Sequence, residues 1–406
     1  MSKKSKKKPW IRYRHRIVRN IVYAILRPYS YWKYGISPTR FSDQEKRPYL
    51  VLLNHQTPFD QFFVGMSIRG PIYYMASEDL FSNGWVSSLI RWLIAPIPIK
   101  KQTTDVAAVM NCIRVAREGG TIAIAPEGNR TYSGKTEYMS NAIVPLARKL
   151  GMPIALYRIE GGYGSQPRWS DGIRKGKMQS YVSRVVKPEE YASLTDEELF
   201  AIIEKELFVD EGVADNVYRS NKRAEYLERA MYVCPFCGLS RFESRGNEAE
   251  CLTCHRKVHY SEDKRLEGVG CDFPFEFTTD WYDYQKGFIN QTDVTAFTEV
   301  PVYEDHATLS EVILNKRKEL LRKNAVLHLY GDRVTVDEGT DNALIFPFSE
   351  ATAVTVLGRN KLNVYHGGKV YQCKGGKRFN ALKYVHFYYR HKNIKKGDPH
   401  AEFLGL

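Results

Sequence analysis

Short apolar runs that alternate with helical patterns are the feature that most constrains the fold of this chain. They extend from about residue 46 to residue 210. The apolar runs predict strands at 49–53, 72–76, 97–100, 121–125 and 153–159, and the segments between them predict helices at 58–69, 83–94 and 104–118. This alternation is typical of an α/β sheet with helical crossovers. We therefore predict one α/β domain over residues 46–212.

Polar and glycine residues follow three of the predicted strands, where the chain leaves the sheet. They are His55 after the first strand, Lys100 and Lys101 after the third, and Glu127, Gly128 and Arg130 after the fourth. In open α/β sheets, ligands bind at the carboxyl ends of the strands. We therefore expect these residues to face one cleft.

The chemistry that such a cleft offers is proton abstraction beside a phosphate site. His55 is a candidate general base, and the carboxylate of Asp60, in the first turn of the next helix, would fix its tautomer. Arg130 and one of the two lysines would hold a phosphate, and Gly128 lets the main chain approach a ligand. This set suits transfer of an activated group to a hydroxyl of a phosphorylated acceptor.

Each residue also has a plain structural interpretation. Asp60 can cap a helix that begins with Thr57 at the N-cap, and His55 can be an ordinary turn histidine. Glu127 and Arg130 can form a surface ion pair, which contributes under about 1 kcal/mol. The combination of a base, a carboxylate and a cation favours a catalytic site.

With these motifs the chain resembles the 1-acylglycerol-3-phosphate acyltransferases and their PlsC-like glycerolipid relatives. Asn54 and His55, then four residues and Asp60, match the family's NHxxxxD motif, and residues 126–131, PEGNRT, match its PEGTRS-like motif. The motifs stand in the family's order, about seventy residues apart, and the resemblance covers about residues 45–210. It implies an acyltransferase domain with a mixed sheet and flanking helices.

The resemblance also implies an enzyme that transfers an acyl group directly and needs no cofactor for catalysis. His55, oriented by Asp60, would deprotonate an acceptor hydroxyl that attacks an acyl thioester. Acceptor binding would fall to Glu127, Gly128 and Arg130. The implied donor is acyl-CoA or acyl carrier protein, and the implied product is phosphatidic acid, made from 1-acyl-sn-glycerol 3-phosphate.

Two departures from the family pattern leave the acceptor open. Lys100 and Lys101 stand where the middle motif commonly ends in arginine, and Asn129 and Thr131 replace commoner residues. Another lysophospholipid or glycerol 3-phosphate is therefore an alternative acceptor. A non-catalytic, lipid-binding membrane scaffold is the alternative of a different class, although such a module would not require a base beside a phosphate site.

Four cysteines form two C-x2-C pairs separated by thirteen residues, namely Cys234 with Cys237 and Cys251 with Cys254. Four thiolates at this spacing predict a closed, structural zinc site in a ribbon at residues 231–262. A redox dithiol is the weaker alternative. Acidic residues around the ribbon offset its basic residues, which argues against a nucleic-acid partner.

Residues 1–45 form a basic amphipathic arm. Residues 1–42 hold twelve Lys and Arg and no acidic residue, so the rest of this chain of net charge +14 carries 48 basic and 46 acidic groups. Ile11, Val18, Val22 and Ile25 recur at helical spacing beside Ile17 and Ile21, and the arginines largely occupy other directions around the helix. This pattern is typical of a helix on an anionic membrane surface, although a helix packed on its own domain and a nucleic-acid arm are alternatives.

The same arm bears on where the protein acts. No segment reaches the roughly 18 uncharged apolar residues of a spanning helix, and the arm lacks the features of a secretory signal. We expect a cytoplasmic protein that is peripheral on the inner face of the cell membrane.

Beyond residue 212 the composition changes. The sequence predicts a helical connector at 213–230, the ribbon, a helical linker at 263–300, and a mainly β domain at 301–394 that a helix closes. The order of elements in this last domain resembles a PH-like or GRAM-like barrel. Such folds bind lipid headgroups, peptides or a neighbouring domain, so the fold alone does not assign the function.

Overall fold

The computed structural model describes residues 9–46, 48–99, 105–214, 216–313 and 318–398. The chain divides into two compact units. The first contains residues up to 128, 139–160 and 178–209, and the second contains 129–138, 161–177 and the residues from 210 onward. The predicted domain at 46–212 therefore contributes segments to both units.

A six-stranded mixed sheet forms the centre of the first unit. Its strands are β1 (Leu50–Leu53), β2 (Ile72–Ser77), β3 (Ile97–Ile99), β4 (Thr121–Ile124), β5 (Ile154–Glu160) and β6 (Gln179–Val186), in the order β3-β2-β4-β1-β5-β6. Neighbouring strands are parallel except β5 and β6, which are antiparallel. The predicted mixed α/β sheet is confirmed, although β6, an edge strand with polar residues, was not predicted.

Helices flank this sheet. They are α1 (Tyr13–Tyr34), α2 (Asp60–Ser67), α3 (Trp85–Ile94), α4 (Val106–Arg117), α5 (Ile143–Leu150), α7 (Pro188–Tyr191) and α8 (Asp196–Leu207), whereas the short α6 (Gly162–Ser165) belongs to the second unit. Leu52 of β1 lies in one buried cluster with Val115 of α4, Val144 of α5 and Ile203 of α8. These three helices therefore cover one face of the sheet, where burial of apolar area stabilises the unit.

The helix α1 docks on the end of α2 through arginine side chains. Arg19 donates from Nη2 to the main-chain oxygens of Gly65 at 3.1 Å and Ile68 at 2.7 Å, and Arg27 donates to that of Met66. The last carbonyls of a helix have no partner within the helix, and cations are favourable there. The predicted helix in the N-terminal arm is therefore present, and it packs on its own unit. Residues 1–8 of the arm lie outside the described residues.

The start of α2 differs from the prediction. The helix begins at Asp60 with Phe59 at the N-cap, and Thr57 and Pro58 lie in the preceding turn. The hydroxyl of Thr57 accepts from the main-chain N–H of Phe59 at 3.1 Å and donates to Asp60 Oδ1 at 2.7 Å. Thr57 as N-cap was therefore wrong, because its hydroxyl serves the Asp60 carboxylate.

Two antiparallel sheets dominate the second unit. The ribbon holds a pair, β7 (Val233–Cys234) and β8 (Gly238–Leu239), and a four-stranded sheet of β9 (Phe242–Arg245), β10 (Glu248–Cys251), β11 (Lys257–Tyr260) and β12 (Leu266–Val269). The second sheet comprises β13 (Tyr303–Glu311), β14 (Glu319–Leu329), β15 (Arg333–Val336), β16 (Leu344–Pro347), β17 (Ala353–Leu357), β18 (Lys361–His366) and β19 (Lys369–Gly375). Its order is β16-β15-β14-β13-β19-β18-β17. The unit also contains α9 (Thr278–Gln291) and α10 (Leu382–Lys396).

The mainly β C-terminal region with a closing helix is therefore confirmed, and the connector before the ribbon was wrong. Over the described part of 213–230 the only helical element is a 3-10 turn at Leu227–Arg229. The main-chain N–H of Ala224 donates to Gly246 O at 3.0 Å, and that of Tyr226 donates to Ser244 Oγ at 2.6 Å. The ribbon thus takes hydrogen bonds that a helix would need for itself. The linker at 263–300 contains a strand, β12, as well as α9.

Candidate active site

The two motif-bearing turns leave the same edge of the first unit's sheet. β1 and β4 are parallel neighbours, with Leu52 opposite Ile124, so the residues after both strands emerge side by side. The main-chain N–H of His55 donates to Glu127 Oε1 at 2.7 Å. The register of the two strands therefore brings the NHxxxxD turn onto the carboxylate of the second motif.

Asn54 fixes the start of the His55 turn, a role that the sequence analysis did not assign. Its Nδ2 donates to the main-chain oxygen of Ile159 at 2.8 Å, and its Oδ1 accepts from the Ile159 N–H at 2.8 Å. The side chain thus continues the pairing of β1 with β5 by one further step. The side chain of asparagine carries one carbonyl acceptor and one NH2 donor, so it can pair with the N–H and oxygen of one residue on a neighbouring strand. The residue type is therefore the sequence signal for this role.

His55 and Asp60 form a direct pair. His55 Nδ1 lies 2.8 Å from Asp60 Oδ2, the aspartate is fully buried, and the histidine side chain is 27% exposed. An ionised carboxylate only accepts hydrogen bonds, so Nδ1 carries the proton and the lone pair of the neutral imidazole lies on Nε2. The pair can take up a proton at Nε2 and stabilise the imidazolium that results.

Further donors hold the Asp60 carboxylate in place. Oδ2 accepts from the main-chain N–H of Gln56 at 2.7 Å, and Oδ1 accepts from the N–H of Thr57 at 2.9 Å and from its hydroxyl at 2.7 Å. A buried charge is tolerated when it is paired and hydrogen-bonded. The structural and chemical interpretations of Asp60 therefore hold together, because the carboxylate that organises the turn also orients His55.

The remaining motif residues are distributed differently. Glu127 is buried, and its carboxylate contacts the main chain of His55. Gly128 has φ of +70°, in the left-handed region that favours glycine. Arg130 belongs to the second unit. Lys100 and Lys101 lie outside the described residues. The structure thus brings together His55, Asp60 and Glu127.

The four ribbon cysteines also meet. Their Sγ atoms all lie within 4.8 Å of one another, with 3.7 Å between Cys234 and Cys254 and 3.6 Å between Cys237 and Cys251. A tetrahedron with zinc–sulfur bonds of about 2.3 Å has edges of about 3.8 Å. This donor set therefore fits a tetrahedral, thiolate-binding metal.

The thiol of Cys251 is disposed to ionise. Burial opposes its ionisation, but hydrogen bonds from Ser240 and from main-chain N–H groups lower the pKa of Cys251 to about 7. The Ser240 Oγ lies 3.0 Å from the Cys251 Sγ. Metals bind the thiolate form, so these donors favour the metal-binding form of Cys251, whereas burial raises the pKa of Cys234 to about 11.

Exposed apolar side chains lie on α1 and α3 of the first unit. On α1, Ile21 and Ile25 are 58% and 64% exposed, and on α3, Trp85 and Trp92 are 75% and 53% exposed. Arg14 joins the two helices, since its Nε donates to Trp92 O at 2.8 Å and its guanidinium lies 4.8 Å from the Trp92 ring. Within the described ranges, every helix is too short or too polar to cross a membrane.

Comparison with known proteins gives a family match over the region that contains both motifs. The family model described as Acyltransferase matches residues 38–158. The chain is 22% identical over 160 residues to a 1-acyl-sn-glycerol-3-phosphate acyltransferase of Bacillus subtilis (strain 168). The matched region covers 39% of this chain and 77% of that protein. It is 21% identical to chloroplastic 1-acyl-sn-glycerol-3-phosphate acyltransferases of Brassica napus (BAT2) and Arabidopsis thaliana (LPAT1), covering 37% and 41% of this chain. It spans only 44% and 46% of those two plant proteins.

Solved structures show weaker similarity. The 1-acyl-sn-glycerophosphate acyltransferase PlsC of Thermotoga maritima is 21% identical, with a TM-score of 0.38 over 47% of this chain and 74% of that chain. The N-terminal PH domain of human ARAP2 is 15% identical, with a TM-score of 0.18 over 23% of this chain and 81% of that domain. Neither likeness assigns a fold here. The motifs and the family match identify residues 38–158 as an acyltransferase domain that is similar to the PlsC-like acyltransferases.

Proposed function

We propose that this acyltransferase moves a fatty acyl group from an acyl thioester, carried by CoA or acyl carrier protein, to the free hydroxyl of 1-acyl-sn-glycerol 3-phosphate. The product is phosphatidic acid. The observation that carries the proposal is the His55–Asp60 pair, in which a buried carboxylate lies 2.8 Å from Nδ1. The names of the Bacillus and plant relatives support this acceptor over other lysophospholipids and glycerol 3-phosphate.

The reaction needs one proton transfer at His55. Nε2 takes the proton of the acceptor hydroxyl, and the oxygen forms a bond to the thioester carbonyl carbon. The tetrahedral intermediate then collapses, the carbon–sulfur bond breaks, and the thiolate leaves with the proton from His55. The Asp60 carboxylate stabilises the imidazolium between these steps, and general base catalysis of this kind contributes about 10²- to 10⁴-fold in rate.

Acceptor binding is assigned to the second motif. Arg130 binds the phosphate in fork geometry, Gly128 lets the main chain approach it, and Glu127 supports acceptor binding by holding the His55 turn. Lys100 and Lys101 are retained as additional phosphate ligands on sequence grounds alone.

Membrane attachment is proposed for the face formed by the apolar residues of α1 and α3. Tryptophan and isoleucine exposed beside arginines are typical of a helix that lies in a membrane interface with anionic lipids. The neighbouring Arg14 and the basic residues before it provide that charge. We accordingly propose that the enzyme is peripheral on the cytoplasmic face of the cell membrane.

The cysteine cluster is proposed to hold one structural zinc ion through Cys234, Cys237, Cys251 and Cys254. Four protein thiolates close the tetrahedron and leave no position for a substrate. The zinc would therefore supply folding energy to the ribbon and no step of acyl transfer.

The test is thiol release from an acyl thioester by the purified protein on anionic vesicles, with and without lysophosphatidic acid. We expect acceptor-dependent release in the wild type and its loss in His55→Ala. Release that persists undiminished in His55→Ala would remove the proposed base. If neither this acceptor, other lysophospholipids nor glycerol 3-phosphate supports release with either donor, the non-catalytic lipid-binding scaffold becomes the favoured hypothesis.

A further inference from the structure

A single buried side chain in the second unit, that of Arg168, holds the main chain of the PEGNRT motif. Arg168 is 2% exposed, and its Nη1 donates to the main-chain oxygen of Arg130 at 2.8 Å. Its Nε and Nη2 donate to the main-chain oxygens of Gly358 and Val356, both at 3.3 Å. One guanidinium thus joins the motif to the end of β17 in the C-terminal sheet.

The planar geometry of the guanidinium constrains the positions of the three carbonyl groups that Arg168 binds. The five N–H donors of arginine lie in one plane with fixed directions, so three carbonyls bound at once define where each must be. Arg168 also lies 4.2 Å from the ring of Tyr132. Tyr132 stacks on Tyr282 of α9, with 6.5 Å between ring centroids and 11° between planes. The segment that follows Arg130 is therefore fixed on both sides.

The segment that carries Arg168 is itself anchored. Asp171 accepts from Arg229 Nη1 at 2.7 Å and Nη2 at 3.3 Å, and Arg359 lies 3.2 Å from it. Arg229 donates further to the main-chain oxygen of Trp169 at 2.8 Å. Because Trp169 and Asp171, which follow it, are held by charged hydrogen bonds, Arg168 has little freedom to follow a displaced motif.

We propose that Arg168 is a positioning residue for acceptor binding and that the β17 turn at 356–358 supports it. The inference rests on the proposed function, in which Arg130 binds the acceptor phosphate. Arg168 donates a hydrogen bond to the main chain of Arg130, so it fixes the position from which the Arg130 side chain extends. The C-terminal β region thereby gains a role in acceptor affinity, separate from proton transfer at His55.

The first test replaces the planar guanidinium of Arg168 with the ammonium group of lysine. Arg168→Lys keeps the charge but cannot bind three carbonyls, so we expect the acceptor KM to rise about tenfold, with the thioester KM and kcat within about twofold of wild type. Arg390→Lys is the matched control. Arg390 is also a buried arginine of the second unit, and its Nε donates to a main-chain oxygen, that of Thr292, at 2.8 Å. It should lower the unfolding temperature without changing the acceptor KM.

The second test changes the main chain of the turn at 356–358, whose carbonyl oxygens accept hydrogen bonds from Arg168. Gly358 and Gly339 have φ of +63° and +80°, and in both cases no described heavy atom lies within 4 Å of the position an added Cβ would take. Gly358→Ala and Gly339→Ala should therefore carry similar backbone strain. Only Gly358→Ala, which displaces the carbonyl bound by Arg168, should raise the acceptor KM, by about threefold to tenfold.

Parallel assays of wild type and Arg130→Ala distinguish a failure of the proposed function from a failure of the inference about Arg168. If wild type transfers no acyl group, the proposed function fails. If wild type is active but Arg130→Ala leaves the acceptor KM unchanged, the phosphate-binding role of Arg130 fails, and the inference fails with it. If Arg130→Ala raises the acceptor KM while Arg168→Lys and Gly358→Ala match their controls, Arg168 is structural only and the inference is overturned.

Discussion

Replacing Asp60 by asparagine separates the two tasks of its carboxylate. In Asp60→Asn the best amide orientation keeps an oxygen at the position of Oδ2, toward His55 Nδ1, and puts the NH2 group at the position of Oδ1. The Thr57 N–H keeps its bond to the oxygen, since it lies 3.0 Å from Oδ2, but it also faces the NH2 donor. The charge-assisted bonds from Gln56 and Thr57 to Oδ2 become neutral ones. Summing the loss of charge assistance and the donor–donor contact gives a destabilisation of about 2–4 kcal/mol.

Asp60→Asn should also lower kcat, by an amount that does not follow from the destabilisation of the fold. The imidazolium formed at His55 loses its negative partner, and two unit charges about 4 Å apart interact by about 4 kcal/mol at an effective dielectric constant of 20. This corresponds to about 10³-fold in kcat. The assay is initial-rate thiol release at saturating thioester and lysophosphatidic acid, with thermal unfolding of the same preparation.

Thr57→Val is the matched control for this experiment. It removes the hydroxyl bond to Asp60 Oδ1 but leaves the carboxylate charge and the bond to His55, so kcat should fall less than tenfold. A folded Asp60→Asn protein with kcat within threefold of wild type would contradict this prediction, because it would show that the buried charge does not stabilise the imidazolium.

Three further predictions concern other parts of the chain. Trp85→Ser combined with Trp92→Ser should reduce sedimentation with anionic vesicles severalfold, whereas Ile345→Ser, which removes an exposed apolar residue of the second unit, should not; equal sedimentation of all three proteins would argue against the membrane face. One zinc per chain is expected by metal analysis, and Cys251→Ser should abolish it and lower the unfolding temperature; a zinc-free wild type of unchanged stability would exclude the structural metal. Burial lowers the pKa of His386 from 6.5 to about 3, so the unfolded chain binds a proton first as the pH falls, and the free energy of unfolding should drop by up to about 1.4 kcal/mol per pH unit below pH 6.5. In urea titrations at pH 7 and pH 5, His386→Gln should show a smaller drop than wild type, and an identical drop would contradict the buried neutral histidine.

Local spacing made part of this site predictable. His55 and Asp60 are five residues apart across a strand-to-helix turn, so they remain neighbours whatever the rest of the chain does. Each C-x2-C pair is likewise a local turn, whereas the approach of the two pairs joins cysteines 14 and 20 residues apart and was predicted from the metal-site spacing. The contact of Glu127 with the His55 main chain depends on β1 and β4 being adjacent, with Leu52 opposite Ile124, and strand order is not encoded in either local segment.

Competing hydrogen bonds account for two of the errors. A helical connector was predicted at 213–230, but the N–H groups of Ala224 and Tyr226 bond to residues of the ribbon, about twenty positions later in the sequence. Thr57 has the residue type of an N-cap, but its hydroxyl donates to the carboxylate of Asp60, three residues later. In the first case a partner distant in sequence outweighs the local preference, and in the second a nearby carboxylate competes with the helix end for the hydroxyl.

The second motif has two kinds of support, and this division has a kinetic consequence. Glu127 lies in the first unit and holds the turn of the proposed base, whereas Arg130 lies in the second unit with its main chain bound to Arg168. Changes to the base, such as Asp60→Asn, act on the step that forms the imidazolium and should appear in kcat. Changes to Arg168 act on the main chain that carries the proposed phosphate ligand, Arg130, and should appear in the acceptor KM. A motif that is continuous in sequence thus separates into a chemical part and a binding part, and the two KM and kcat patterns would distinguish them.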